Sequence, residues 1–102
     1  MSEAVLTIFR SRLRPEAQEE YERWAQRMDA LAAQMPGFLG IKTFAAVDGE
    51  RVSIVEFASD ADALAWHRHP EHREAQRLGR ERFYAEFEVI VCTPLRRYAF
   101  KC

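Results

Sequence analysis

The chain opens on Val5, Leu6, Ile8 and Phe9, a run apolar on both faces, and this predicts a first strand over 4–13. Pro15 then stands as a first-turn proline, with Glu16, Glu19 and Glu20 suited to the positive end of a helix. Ala17, Tyr21, Trp24, Met28, Leu31 and Met35 recur at alternating steps of four and three, which makes one apolar stripe on an amphipathic helix. Pro36-Gly37 ends it. Two segments rich in β-branched and aromatic residues follow, 38–47 and 51–58, joined across Asp48-Gly49, a pair that accepts the positive backbone angles of a tight hairpin. Ser59 is placed to cap a second helix, with Asp62 as capping partner. That helix carries Leu64 and Trp66 and must stop before Pro70, which disfavours helical geometry at His69. Pro70 starts a further helix from Glu71 to about Tyr84, and 86–93 alternates as a last strand, which 96–100 extends beyond Pro94.

The order β-α-β-β-α-β is the ferredoxin-like α+β arrangement, a four-stranded antiparallel sheet with helices on one face, in one domain over 1–102. An antiparallel sheet with one wet face should alternate apolar and polar residues. The first and last strands do not: Val5, Leu6, Ile8 and Phe9, like Val89, Ile90, Val91 and Cys92, are apolar on both faces. Two helices cover one face, so the other is expected to meet a second copy of the chain, giving a homodimer.

Composition narrows the function. A net charge of -1 gives no general attraction for nucleic acid or anionic lipid, so neither partner is expected. No basic, apolar leader precedes the first strand and no run approaches a spanning helix, which together with only two cysteines of unrelated spacing predicts a cytoplasmic protein. Cys92 is expected as a buried thiol and Cys102 as a loose one. His67, His69 and His72 form H-x-H-x-x-H, but two residues turn a helix by about 200° and Pro70 interrupts the path, so no metal site is expected.

Pro36-Gly37-Phe38, the Asp48-Gly49-Glu50 hairpin, Val55-Glu56-Phe57-Ala58-Ser59 and the stretch Ala65 to Gln76, followed by Gly79-Arg80 and Phe83-Tyr84, resemble the antibiotic biosynthesis monooxygenase (ABM) superfamily of dimeric α/β barrels. The resemblance covers about Ala4 to Phe100 and implies two chains closing one barrel. Within that superfamily the haem-degrading branch is similar at Trp66 but has an iron-binding histidine where this chain has Gln76, an amide and a poor iron ligand. The anthrone-oxygenase branch resembles it in another way, with an asparagine, a tryptophan and an arginine where this chain has Ser53, Phe57 and Gln76. What the resemblance implies is a cofactor-independent monooxygenase that uses O2 on a small aromatic quinol, phenol or enolisable compound. A non-catalytic binding or regulatory module on the same fold stays open.

On that reading His72 and Trp66 are the catalytic candidates, with Phe57, Gln76, Arg80, Tyr84 and Ser53 binding substrate. His72, Gln76 and Arg80 follow at steps of four along one helix face, with Tyr84 further round. Only the anion of a phenol reduces O2 readily, and imidazole has a natural pKa suited to the base that generates it. His67 is expected to point elsewhere. Gly79 leaves room beside this face for a ring or another backbone.

Overall fold

The computed structural model describes residues 3–102. Four strands, β1 (Val5–Leu13), β2 (Phe38–Ala45), β3 (Arg51–Phe57) and β4 (Tyr84–Cys92), form one antiparallel sheet in the order β2-β3-β1-β4. Helix α1 (Gln18–Ala32) follows a 3-10 turn at Pro15–Ala17, and α2 (Asp60–His67) and α3 (Pro70–Leu78) precede a π-helical turn at Gly79–Phe83. The fold is the expected ferredoxin-like one, with the helices packed on a single face of the sheet.

Local chemistry sets the boundaries. The Ser59 hydroxyl accepts from the Asp62 N–H at 3.1 Å and donates to the Asp62 carboxylate at 3.0 Å, which starts α2 as anticipated. His69 caps α3 through Nδ1, which accepts from the Glu71 N–H at 3.1 Å. Gly37 takes φ +80° between α1 and β2, and its carbonyl accepts from Ala58 N at 2.7 Å, tying the start of β2 to the end of β3. A side chain at Gly37 would also strike Asp62.

Register assigns the two faces. Val5 opposes Phe57, Thr7 opposes Val55 and Val91, Phe9 opposes Ser53 and Val89, and Ser11 opposes Arg51 and Phe87. These residues face the helices, since Val5 and Phe57 pack with Ala32 and Trp66. That cluster takes in Met28, Leu31 and Met35 from the stripe of α1. A second cluster, Ala17, Leu78 and Phe83 with Leu13, Tyr21, Trp24 and Tyr84, sits at the other end of the layer. The opposite face carries Leu6, Ile8, Val52, Ile54 and Ile90 at its centre, uncovered in one chain; Ile90 is 41% and Phe44 50% exposed. Ion pairs fringe it, Arg10 with Glu50 at 3.0 Å, Arg12 with Asp48 at 2.8 Å and Arg97 with Glu56 at 2.8 Å.

Three expectations change. The helix after Pro70 is not continuous to Tyr84: it ends at Leu78 and a π-helical turn carries the chain into β4 two residues earlier than the alternation suggests. Arg14 holds that turn, donating from its guanidinium to the carbonyls of Tyr84, Glu81 and Arg80 at 3.0, 2.8 and 3.2 Å. Residues 96–100 form no strand, because β4 is already an edge and Pro94 removes a donor; Leu95, Tyr98 and Phe100 stand about nine-tenths exposed (90%, 88% and 89%). Cys92 is half-buried rather than buried, since it lies on the uncovered face.

Candidate functional site

The side chains marked by the sequence fall into two groups along the helix–sheet layer. The register from Phe57 to Arg51 places its ends about 20 Å apart, at about 3.3 Å per strand residue.

At one end, the junction of α2 and α3 gathers all three histidines around Trp66. His72 stacks flat on the indole with ring centroids 4.2 Å apart and planes 12° from parallel, and His69 lies 5.7 Å from the same ring. His72 Nδ1 is 3.0 Å from the carbonyl of Trp66. A carbonyl only accepts, so Nδ1 carries the proton and Nε2 keeps its lone pair. Burial pulls the His72 pKa below the ordinary imidazole value, the bond to Trp66 opposes this, and His67 and His69 add to the lowering. The ring is therefore neutral at pH 7, in the tautomer a general base requires.

His67 does not point elsewhere, as its spacing suggested. Its Nδ1 accepts from the Gln76 amide at 3.1 Å, and its ring meets His72 edge-on at 6.4 Å. Five residues along a regular helix would turn His67 and His72 about 140° apart, but α2 ends at His67, and Arg68 and His69 fold the chain back. Gln76 also donates to the His67 carbonyl at 3.4 Å, so its amide is spent joining α3 to α2. Every histidine Nδ1 is thus committed. Among the described residues no group of three or more His, Cys, Asp or Glu side chains is arranged to hold a metal ion.

Trp66 and Phe57 are core side chains, 8% and 1% exposed. Trp66 acts on His72 through its ring and its carbonyl. Phe57 packs edge-on against Phe38 at 5.8 Å and presents almost no surface to a ligand. Arg80 falls in the π-helical turn, where its carbonyl accepts from Arg14, and its side chain is exposed.

Tyr84 and Ser53 belong to the other end. Ser53 shares a 2.7 Å hydrogen bond with Thr43 across β2 and β3, on the helix-facing side. Tyr84 is hemmed by Phe9, Phe87 and Tyr21, with centroids at 5.3, 5.6 and 5.8 Å. Burial drives its phenol well above the usual range, the neighbouring Tyr21 phenol adds to this, and Arg51 partly offsets it. Tyr84 is therefore no base near neutral pH. Gly79 serves it as anticipated: a Cβ there would lie 2.6 Å from a Tyr84 ring carbon.

Tyr21 and Arg51 were not singled out by the sequence. Arg51 shares a parity with Ser53, Val55 and Phe57, and this alternation was the available signal that it faces the helices. Two open surface depressions border these groups, the second at the α2–α3 junction beside His67. One of about 270 Å3 is lined by Arg10, Ser11, Glu50 and Phe87 among others, and one of about 500 Å3 by Leu64, His67, Arg68 and Arg73. No helix among the described residues is long and apolar enough to cross a membrane.

Fold and layer define a class, the ferredoxin-like α+β domains with helices on one face of an antiparallel sheet. The profile of the family described as "Antibiotic biosynthesis monooxygenase" matches residues 4–78, and the chain belongs to that family. It is 34% identical over 92 residues to YqjZ of Bacillus subtilis (strain 168), a protein itself described as uncharacterized, covering 89% of this chain and 80% of that one. Its structure is similar to that of Rv0793 from Mycobacterium tuberculosis, with TM-score 0.83, 20% identity, and 94% and 99% of the two chains covered. It is also similar to SnoaB from Streptomyces nogalater, described as a cofactor-independent oxygenase, with TM-score 0.80, 18% identity, and 94% and 97% covered.

Proposed function

We propose that the chain is a cofactor-independent monooxygenase acting on a small aromatic quinol, phenol or enolisable compound, with His72 as the general base. The observation that carries this is the His72–Trp66 pair: the carbonyl of Trp66 fixes the proton on Nδ1 and leaves Nε2 free, while the stacked indole holds the ring in place. Membership of the monooxygenase family, and the likeness to an oxygenase described as cofactor-independent, support the reaction class.

In this scheme Nε2 takes the hydroxyl proton of the substrate. The resulting anion supplies electrons to O2, one oxygen atom bonds to the ring carbon and becomes a carbonyl, and the other leaves as water. A phenol converted to a quinone supplies all four electrons, so no external reductant enters. Trp66 is a positioning residue here, and Gln76 acts through His67. Arg80 lies at the rim of this end, while Ser53 and Tyr84, at the other end of the layer, and the buried Phe57 ring lie out of reach of a small substrate held at His72. The active unit is a homodimer whose two sheets meet through the Leu6, Ile8, Val52, Ile54 and Ile90 face, because a chain this small gains most by burying so apolar a surface.

Oxygen uptake by purified protein over a panel of quinols and phenols tests the reaction. One O2 consumed per substrate, with a quinone product and no accumulated peroxide, is expected. Tight substrate binding with no oxygen uptake across the panel would instead make the domain a passive binder.

A further inference from the structure

We propose that Arg51, flanked by the phenols of Tyr21 and Tyr84, binds the carboxylate of an aromatic acid. Ion pairs among the described residues use Arg10, Arg12, Arg27, Arg77, Arg82 and Arg97, and Arg51 enters none of them. Its Nε is buried and has no hydrogen-bond partner. It is the only buried side-chain nitrogen or oxygen left so among the described residues. An unpartnered buried donor on a permanent cation is costly, and proteins keep one where something else completes it.

The surroundings say what completes it. The guanidinium lies over the Tyr21 ring, 5.3 Å from its centroid, and close enough to Tyr84 to act on its phenol. Cross-strand neighbours are Ser11, which is buried, and Ala45, so no acid comes from the sheet. The next pair along the strands is the hydroxyl couple Thr43 and Ser53. Phe9 and Phe87 close the aromatic wall around Tyr84. A guanidinium edge offers two parallel N–H groups, which match the two oxygens of a carboxylate, and rings beside it suit an aromatic body. Phosphate would bring more charge than this half-apolar place can solvate.

The site goes beyond the oxygenase reading: it lies at the other end of the layer from His72, too far for one small ring to touch both, so it takes an aromatic acid of its own. Its test is therefore a binding measurement. Benzoate and its neutral isostere benzamide are titrated into the full chain by calorimetry, while the Arg51 Nε–H resonance is followed by NMR. Benzoate should bind about tenfold to a hundredfold more tightly than benzamide, the usual worth of a hydrogen bond to a charged group, and should shift that resonance. Arg51→Gln should abolish the preference and leave benzamide affinity within about twofold, while Arg51→Lys should keep part of it. Equal affinities, no saturation by benzoate at millimolar concentration, or a preference that survives Arg51→Gln would overturn the assignment. Should Arg51→Gln fail to fold, an Nε–H resonance unmoved by benzoate in the parent overturns it equally.

Discussion

Replacing Gly79 by alanine sets two known effects against each other. Gly79 has φ -57° and ψ -48°, ordinary helical angles, so alanine would gain about 1 kcal/mol of helix propensity. A Cβ there would lie 2.6 and 2.9 Å from two ring carbons of Tyr84. Carbon contacts are comfortable at about 3.5–4.0 Å, so the ring must retreat by about 1 Å. Phe9, Tyr21 and Phe87 stand at 5.3, 5.8 and 5.6 Å on its other sides and leave it nowhere to go. Overpacking of this kind costs about 1–3 kcal/mol, and the tight surround places this site in the upper half of that range. The net expectation is a loss of about 1–2 kcal/mol, or a fall in Tm of about 4–16 °C for a domain of this size. Urea titration of the parent, the single variant and a Gly79→Ala/Tyr84→Leu cycle measures it. With the ring edge gone, the same alanine should become neutral or stabilising. A Gly79→Ala protein as stable as the parent would refute the reasoning.

Five further outcomes are expected. His72→Ala should lower turnover by about 10²- to 10⁴-fold, the span for losing a general base. His67→Ala should cost less, but measurably, because His67 holds Gln76 and touches His72. The rising limb of the parent's pH–rate profile should fall below the ordinary imidazole value of about 6.5, since burial lowers the His72 pKa, and His72→Ala should lack it. The same shift governs stability. A histidine harder to protonate when folded contributes fully above its unfolded pKa, and that contribution declines as the pH falls below about 6.5 toward the folded value; His72→Phe should flatten this part of the stability–pH curve. Ile8→Lys, at the centre of the uncovered face, should leave a monomer by sedimentation, because pairing would bury an unpaired charge; a dimer with parental affinity would exclude that face as the interface.

The element order, both hairpin-linked strands, the cap at Ser59 and the helix start at Pro70 were legible because each rests on neighbours in sequence: alternation, an Asp-Gly turn, a hydroxyl or a proline before a helix. The candidate site was legible only in part. His72 was found by spacing, but its tautomer depends on the Trp66 carbonyl, which becomes a partner only when α2 and α3 fold against each other. Gln76 shares the face of His72 by spacing, but its amide is taken up by His67, which only the folding of α2 against α3 brings near. Arg51 was passed over because a charge at the start of a strand usually lies in solvent. Its burial follows from the register of β3 against β1 and from Tyr21 of α1 arriving above it, neither of which is local.

The π-helical turn has a bearing on how tolerant this chain is of change in length. Such a turn accommodates one residue more than an α-helical turn of the same span. Removing one residue from Gly79–Phe83 would therefore let the turn close to an α-helical one over the same span, with β4 still in register. A residue lost from β4 itself has no such outlet, because in a strand a slip of one residue exchanges the faces. Phe87, Val89 and Val91 would turn away from the helices, and Ile90 and Cys92 would turn toward them. Arg14, bonded to three carbonyls at this place, ties the turn to the end of β1. Family members of different length are accordingly expected to place insertions and deletions in the β2–β3 hairpin, in this turn or after β4, and to preserve the count within β4.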